Sequence, residues 1–214
     1  MTDIAELMRA ARLIPVLTIE DVSSAIPLAR ALVAGGVRML EITLRTKAGA
    51  DAARAIAEAV PDAIVGFGTV LAPADLDLAE RLGLRFAFSP GATPALLDAA
   101  QGRALPFVPG IQTASEYMQA AERGFTIAKF FPAEPAGGIP ALKALAGPFP
   151  QAKFCPTGGI AEDRVGAWLE QPNVLAVGGS WLASTTDIRR ADWAGITERA
   201  KRALARLTRE EIPA

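Results

Sequence analysis

Eight short apolar runs, each followed by a stretch with helical spacing, most narrow the folds open to this chain. The runs are IPVL (14–17), MLEITL (39–44), AIVGFGTV (63–70), RFAFSPG (85–91), PFVPGI (106–111), IAKFFP (127–132), KFCPTGG (153–159) and VLAVGGSW (174–181). Between them lie amphipathic segments such as SSAIPLARALVAGG, AGADAARAIAEAV, APADLDLAERLG and TASEYMQAAERG. Several end in Gly and several open on Thr, Ser, Asp or Pro, the residues that terminate and start helices. Eight strand-then-helix units predict an α/β chain closed into a single (β/α)8 TIM barrel, with a short amphipathic helix in MTDIAELMRAARL ahead of it. An open doubly wound sheet is the alternative, because strand count alone does not prove closure. Nothing along the 214 residues looks like a linker, so one domain spanning residues 1–214 is expected.

Charge and composition then remove whole classes of function. The 22 basic and 23 acidic residues leave a formal net charge of -1, so no global field draws nucleic acid or an anionic membrane. The single cysteine, Cys155, has no intramolecular partner for a disulfide, and no apolar run approaches the roughly 18 residues of a spanning helix. The amino terminus lacks the basic-then-apolar pattern of an export signal, so a cytoplasmic location is the default. There is no histidine. The commonest general base and commonest metal ligand are therefore missing, and catalysis falls to Lys, Glu, Asp, Arg or the lone Tyr or Cys.

In a parallel barrel the active site lies at the carboxyl ends of the strands, and here those ends carry Gly, Pro or polar residues. Lys129 stands out because it interrupts an apolar run of β-formers, Ile127, Ala128, Phe130 and Phe131. One reading is a lysine whose stem is buried while its ammonium reaches water or a carboxylate. The other is a nucleophile: desolvation of an amine favours the free base, which attacks a carbonyl and forms a Schiff base. Lys47, Lys143, Lys153 and Lys201 sit at loops, strand starts or polar helix faces. In EITLRT, strand alternation sends Glu41, Thr43 and Arg45 to one face. Glu41 then offers an acid/base beside Lys129, and Arg45 a planar fork for a carboxylate, unless the two simply pair with each other.

Two glycine pairs follow the last two strands, in CPTGGI (155–160) and VGGSWL (177–182). Either pair alone serves a tight turn; both together, with the Ser180 hydroxyl, suggest an anion site of the kind found after strands 7 and 8 of this fold. Neither run matches a P-loop or a complete dinucleotide fingerprint, and GFGTV lacks the third glycine of the latter.

In order and spacing, LVAGGVRMLEITLRT, IVGFGTV, FSPG, PGI, KFFPAE, LKALAGPF, FCPTGGI and VGGSW resemble the bacterial 2-keto-3-deoxy-6-phosphogluconate (KDPG) and 4-hydroxy-2-oxoglutarate aldolases, over about residues 4–200. The resemblance implies a class I, metal-independent aldolase with no cofactor, usually a homotrimer, serving sugar-acid breakdown by the Entner–Doudoroff pathway. It implies Lys129 as the Schiff-base lysine and Glu41 as the acid/base. Arg45 and Thr69 would hold the pyruvyl carboxylate, with Pro90 and Phe131 lining the pocket. Thr157, Gly158, Gly159, Gly178, Gly179 and Ser180 would bind the distal, phosphorylated end of the substrate.

Two positions depart from the family pattern. Phe67 lies where relatives often have a small residue, and either narrows the pyruvyl end or fills the barrel floor. Thr18 lies where some relatives carry Arg. A catalytically silent barrel, kept for binding a phosphate ligand or for assembly, is the competing expectation, and a site blocked by Phe67 would support it. A phosphate-binding isomerase or epimerase is disfavoured by the lack of histidine.

Overall fold

The computed structural model describes residues 3–209. The N-terminal segment forms helix α1 (Ile4–Ala11), where the Asp3 carboxylate accepts the Ala5 N–H at 3.0 Å and so caps the first turn. Every predicted run contains extended backbone: β1 (Leu13–Leu17), β2 (Met39–Thr43), β3 (Ile64–Gly68), β4 (Phe86–Phe88), β5 (Phe107–Val108), β6 (Gly110–Ile111), β7 (Ile127–Phe130), β8 (Lys153–Phe154) and β9 (Val177–Gly179). Between them lie α2 (Ala25–Ala34), α3 (Gly49–Ala59), α4 (Pro73–Arg81), α5 (Pro94–Ala100), α6 (Ala114–Ala121), α7 (Gly138–Ala146) and α8 (Val165–Leu169), and β9 is followed by α9 (Thr185–Arg189) and α10 (Trp193–Arg209). The TASEY stretch starts α6 as its sequence implies: Thr113 accepts the Glu116 N–H, and the Glu116 carboxylate returns to the Thr113 N–H at 2.8 Å.

The strands do not close into one eight-stranded barrel, which corrects the sequence expectation. They form a six-stranded parallel sheet in the order β5-β4-β3-β2-β1-β9 and a three-stranded parallel sheet in the order β6-β7-β8. Proline accounts for the first break. Pro109 has no N–H to donate and divides PFVPGI into two pieces, β5 pairing with β4 and β6 with β7. At this break Gly110 donates its N–H to the Ser89 hydroxyl at 3.0 Å, a side chain standing in for a ladder carbonyl. The Pro109 carbonyl still accepts the Lys129 N–H at 2.8 Å, which fixes the height of Lys129 on β7. Near Pro156 the second break is spanned only by isolated bridges, Phe154–Val174 and Thr157–Gly178.

Side chains from the strands bury themselves in two clusters. The larger packs strand residues such as Leu40, Ile42 and Phe67 against the helices, including Leu28 and Leu32 of α2 and Ile56 of α3. The smaller gathers Ile14, Met39, Phe86, Phe88 and Val108 of the six-stranded sheet with Cys155 under Ala5 and Met8 of α1, and Ile127 of β7 packs against it. Each fully buried Leu, Ile or Phe contributes about 1.5–3 kcal/mol. Phe67 is opposite Ile42 in the β2–β3 register and fully buried in the helix-side cluster. It therefore points away from Glu41, which lies opposite Gly66, and does not block that side. Trp168 is wholly buried, and Trp181 and Trp193 pack partly buried against the larger cluster.

Candidate active site

Two sheets meet at one charged contact. Glu41 sits in the middle of β2 and Lys129 in β7, 88 residues apart, and the Lys129 Nζ donates to Glu41 Oε1 at 2.7 Å. Both are almost inaccessible, Lys129 at 3% and Glu41 at 1%. A buried ion pair is weak support for stability, because desolvating both charges offsets most of the attraction. Its partners are also the two residues needed for amine chemistry. The lysine ammonium lies 5.7 Å from the ring centres of Phe88 and Phe131, which wall it with apolar surface.

Local packing makes room for the carboxylate. Gly68 of β3 faces Glu41 so closely that a Cβ there would overlap its side chain, so only glycine leaves the space. On the same face of β2, Thr43 is fully buried, donates to the Leu17 carbonyl at 3.0 Å and lies 3.2 Å from the Thr18 hydroxyl. Thr69 follows Gly68 with φ at 61°, a left-handed conformation that costs a non-glycine residue roughly 1–2 kcal/mol.

A cleft of about 300 Å³ opens beside this pair, lined by Val16, Arg45, Phe131, Thr157, Gly158, Gly159, Ile160, Gly178, Gly179, Ser180 and Trp181. The glycine pairs after β8 and at the end of β9 thus come together, with Arg45 as the one charged lining residue among those described. Gly158 and Gly159 have φ of 102° and 79°, values open to glycine at little cost. Phe131 joins the two halves of the site, touching the cleft on one side and standing over Lys129 on the other. Arg45 lies beyond the end of β2 and is exposed; the ion-pair partner of Glu41 is Lys129 and not Arg45. Thr69 and Pro90 do not line the cleft: Thr69 flanks the glycine that faces Glu41, and the Pro90 backbone packs against Gly110, the register neighbour of Lys129. Val16, Ile160 and Trp181 line the cleft without having been singled out in the sequence, where nothing but their adjacency to strand ends marks them. A larger depression of about 430 Å³, around Leu7, Leu84, Leu105 and Pro106, holds no nucleophile, so size does not identify the site.

Cys155 lies immediately after β8, fully buried, and burial first, then the Glu41 charge, pushes its thiol up to about 12 against the opposing influence of Lys129. The folded protein thus keeps a proton that the unfolded chain releases near its ordinary 9.0. Stability from this group is complete below pH 9 and falls as pH rises from about 9 to 12, by at most about 4 kcal/mol. Urea unfolding at pH 8 and pH 10.5 is expected to show that loss, and Cys155→Ala to flatten it; an equal loss in the variant would place the alkaline sensitivity elsewhere.

With this geometry in place, comparison with known proteins gives one answer. Residues 4–199 match the family model described as KDPG and KHG aldolase. The chain belongs to this aldolase family. A 2-dehydro-3-deoxy-phosphogluconate aldolase of Pseudoalteromonas atlantica is 51% identical over 192 residues, covering 90% of this chain and 89% of the relative. The KHG/KDPG aldolase of Escherichia coli is 46% identical over 203 residues, 95% of each chain. Among solved structures, the KDPG aldolase of Legionella pneumophila superposes with a TM-score of 0.92 at 43% identity, covering 94% of this chain and 98% of that one. In that aldolase pyruvate was captured as a covalent carbinolamine intermediate.

Proposed function

We infer that this protein is a class I aldolase that cleaves 2-keto-3-deoxy-6-phosphogluconate to pyruvate and glyceraldehyde 3-phosphate, and also acts on 4-hydroxy-2-oxoglutarate. The observation that carries the residue assignment is the buried Lys129–Glu41 hydrogen bond of 2.7 Å at the edge of a cleft holding an arginine and two glycine pairs.

Movement of the shared proton to Glu41 frees the Lys129 lone pair, which adds to the C2 ketone to give a carbinolamine. Glu41 returns its proton to the carbinolamine hydroxyl, which leaves as water and gives an iminium, with Glu41 again a carboxylate. Glu41 then takes the proton of the C4 hydroxyl; the C4–O electrons form the aldehyde, the C3–C4 bond breaks, and its electron pair moves through C2 to the iminium nitrogen. The aldehyde product departs from an enamine on Lys129. Protonation at C3 and addition of water release pyruvate and restore the amine. Arg45 holds the pyruvyl carboxylate and Thr69 flanks it, while Thr157, Gly158, Gly159, Gly178, Gly179 and Ser180 receive the phosphate. Pro90 and Phe131 bound the apolar wall. Because Phe67 faces the helices, the silent-barrel reading loses the feature that favoured it.

Borohydride reduction in the presence of pyruvate, followed by peptide mass spectrometry, tests the assignment. A reduced pyruvyl adduct on Lys129 is expected; a folded protein that traps nothing, or traps at another lysine, rejects it. Arg45→Ala is expected to weaken pyruvate binding roughly 10–100-fold, the worth of a charge-assisted bidentate contact, with a much smaller effect on glyceraldehyde 3-phosphate. Equal losses for the two products would refute that assignment.

A further inference from the structure

The KFFPAE motif ends in Glu134, a residue the reaction above does not use. Its carbonyl accepts the Gly137 N–H at 3.1 Å within its own segment, and its other contacts bear on the Gly158–Gly159 turn and the helix after it. The Glu134 N–H donates to the Gly158 carbonyl at 3.0 Å, and the preceding Ala133 N–H to the Thr157 carbonyl at 2.8 Å. A Cβ on Gly159 would lie 3.0 Å from the Glu134 Cβ, so the turn rests directly on this side chain. At its far end Glu134 Oε1 accepts the indole N–H of Trp168 at 2.9 Å. Trp168 belongs to α8, the helix that follows the turn, and is fully buried, with its ring centre 6.4 Å from that of Phe130.

Both sides of the glycine turn are thereby fastened to one short segment. The Ala133 and Glu134 N–H groups hold the Thr157 and Gly158 carbonyls, and the Glu134 carboxylate holds the helix leaving the turn. Two successive positive-φ glycines have no side chains of their own to fix them, so their orientation depends on such neighbours. A carboxylate is also the wrong sign beside an anion site, which points to its role as a hydrogen-bond acceptor for the indole rather than as a charge. We propose that Glu134, through Trp168, is a positioning residue that sets the Gly158–Gly159 turn in its anion-receiving geometry. This rests on the assignment of that turn to the substrate phosphate.

The experiment compares Glu134→Ala and Glu134→Gln with the unaltered protein in three assays: steady-state cleavage of the phosphorylated substrate, inhibition by inorganic phosphate, and deuterium exchange at C3 of pyruvate alone. Exchange needs the Schiff base but not the phosphate turn. Glu134→Ala is expected to raise KM about tenfold and to weaken phosphate inhibition in step, with the exchange rate held within about twofold. Glu134→Gln keeps an acceptor for the indole and is expected to restore KM to within about twofold. An unchanged KM in Glu134→Ala, a fall in exchange matching the fall in cleavage, or a Gln variant no better than Ala overturns the proposal. Failure of phosphate to compete with substrate in the unaltered protein overturns the phosphate assignment itself.

Discussion

Lys129→Ala abolishes cleavage, with kcat expected to fall by roughly four orders of magnitude or more, as loss of a covalent nucleophile does. The lysine provides the electron sink into which the C3–C4 bond breaks, and no other described lysine shares its burial: only Lys129 among them is enclosed by protein. Removing it also strands Glu41, an uncompensated buried carboxylate that costs about 3–5 kcal/mol unless it takes up a proton. Lys129→Arg therefore accompanies it, keeping a cation for Glu41 while offering no primary amine. Both variants should retain far-ultraviolet circular dichroism and lose borohydride trapping. Substantial cleavage by a folded Lys129→Arg would end the nucleophile assignment.

Glu41→Gln carries the second large effect. The amide keeps the volume that Gly68 allows and an oxygen for the Lys129 hydrogen bond, but it no longer takes or returns a proton. A fall of about 10²–10⁴-fold in kcat is expected, the usual worth of general acid–base catalysis. Deuterium exchange at C3 of pyruvate should fall with it, because the same group serves C4 deprotonation and C3 protonation. If cleavage falls and exchange stays intact, a different group protonates the enamine.

The strands were legible because each apolar run is short and bounded by Gly, Pro or polar residues, and the structure puts extended backbone in all of them. Their closure was not legible. Pro109 lies within a run that reads as one strand, and whether its missing N–H interrupts a ladder depends on what the neighbouring strand offers there, here the Ser89 hydroxyl. Phe67 shows the same limit. Alternation within its strand places it relative to Thr69, but which face looks toward Glu41 is decided by the pairing of Ile42 with Phe67 and of Glu41 with Gly66. Arg45 lies past the end of β2, where strand alternation no longer governs its direction. The Glu134–Trp168 contact joins residues 34 apart on a turn and a helix, a distance over which no periodicity operates.

Gly68 offers no functional group, yet its freedom to vary is set by the Glu41 side chain that a Cβ there would overlap. Selection acting on Glu41 is thereby transmitted to a position that is chemically mute. In a saturation library across β2 and β3, position 68 should tolerate substitution as poorly as position 41, and a survey that equates intolerance with chemistry would count it among the reacting groups. Attempts to widen or reshape the site from this side are confined in the same way: the strand facing the acid has already given up every atom it can.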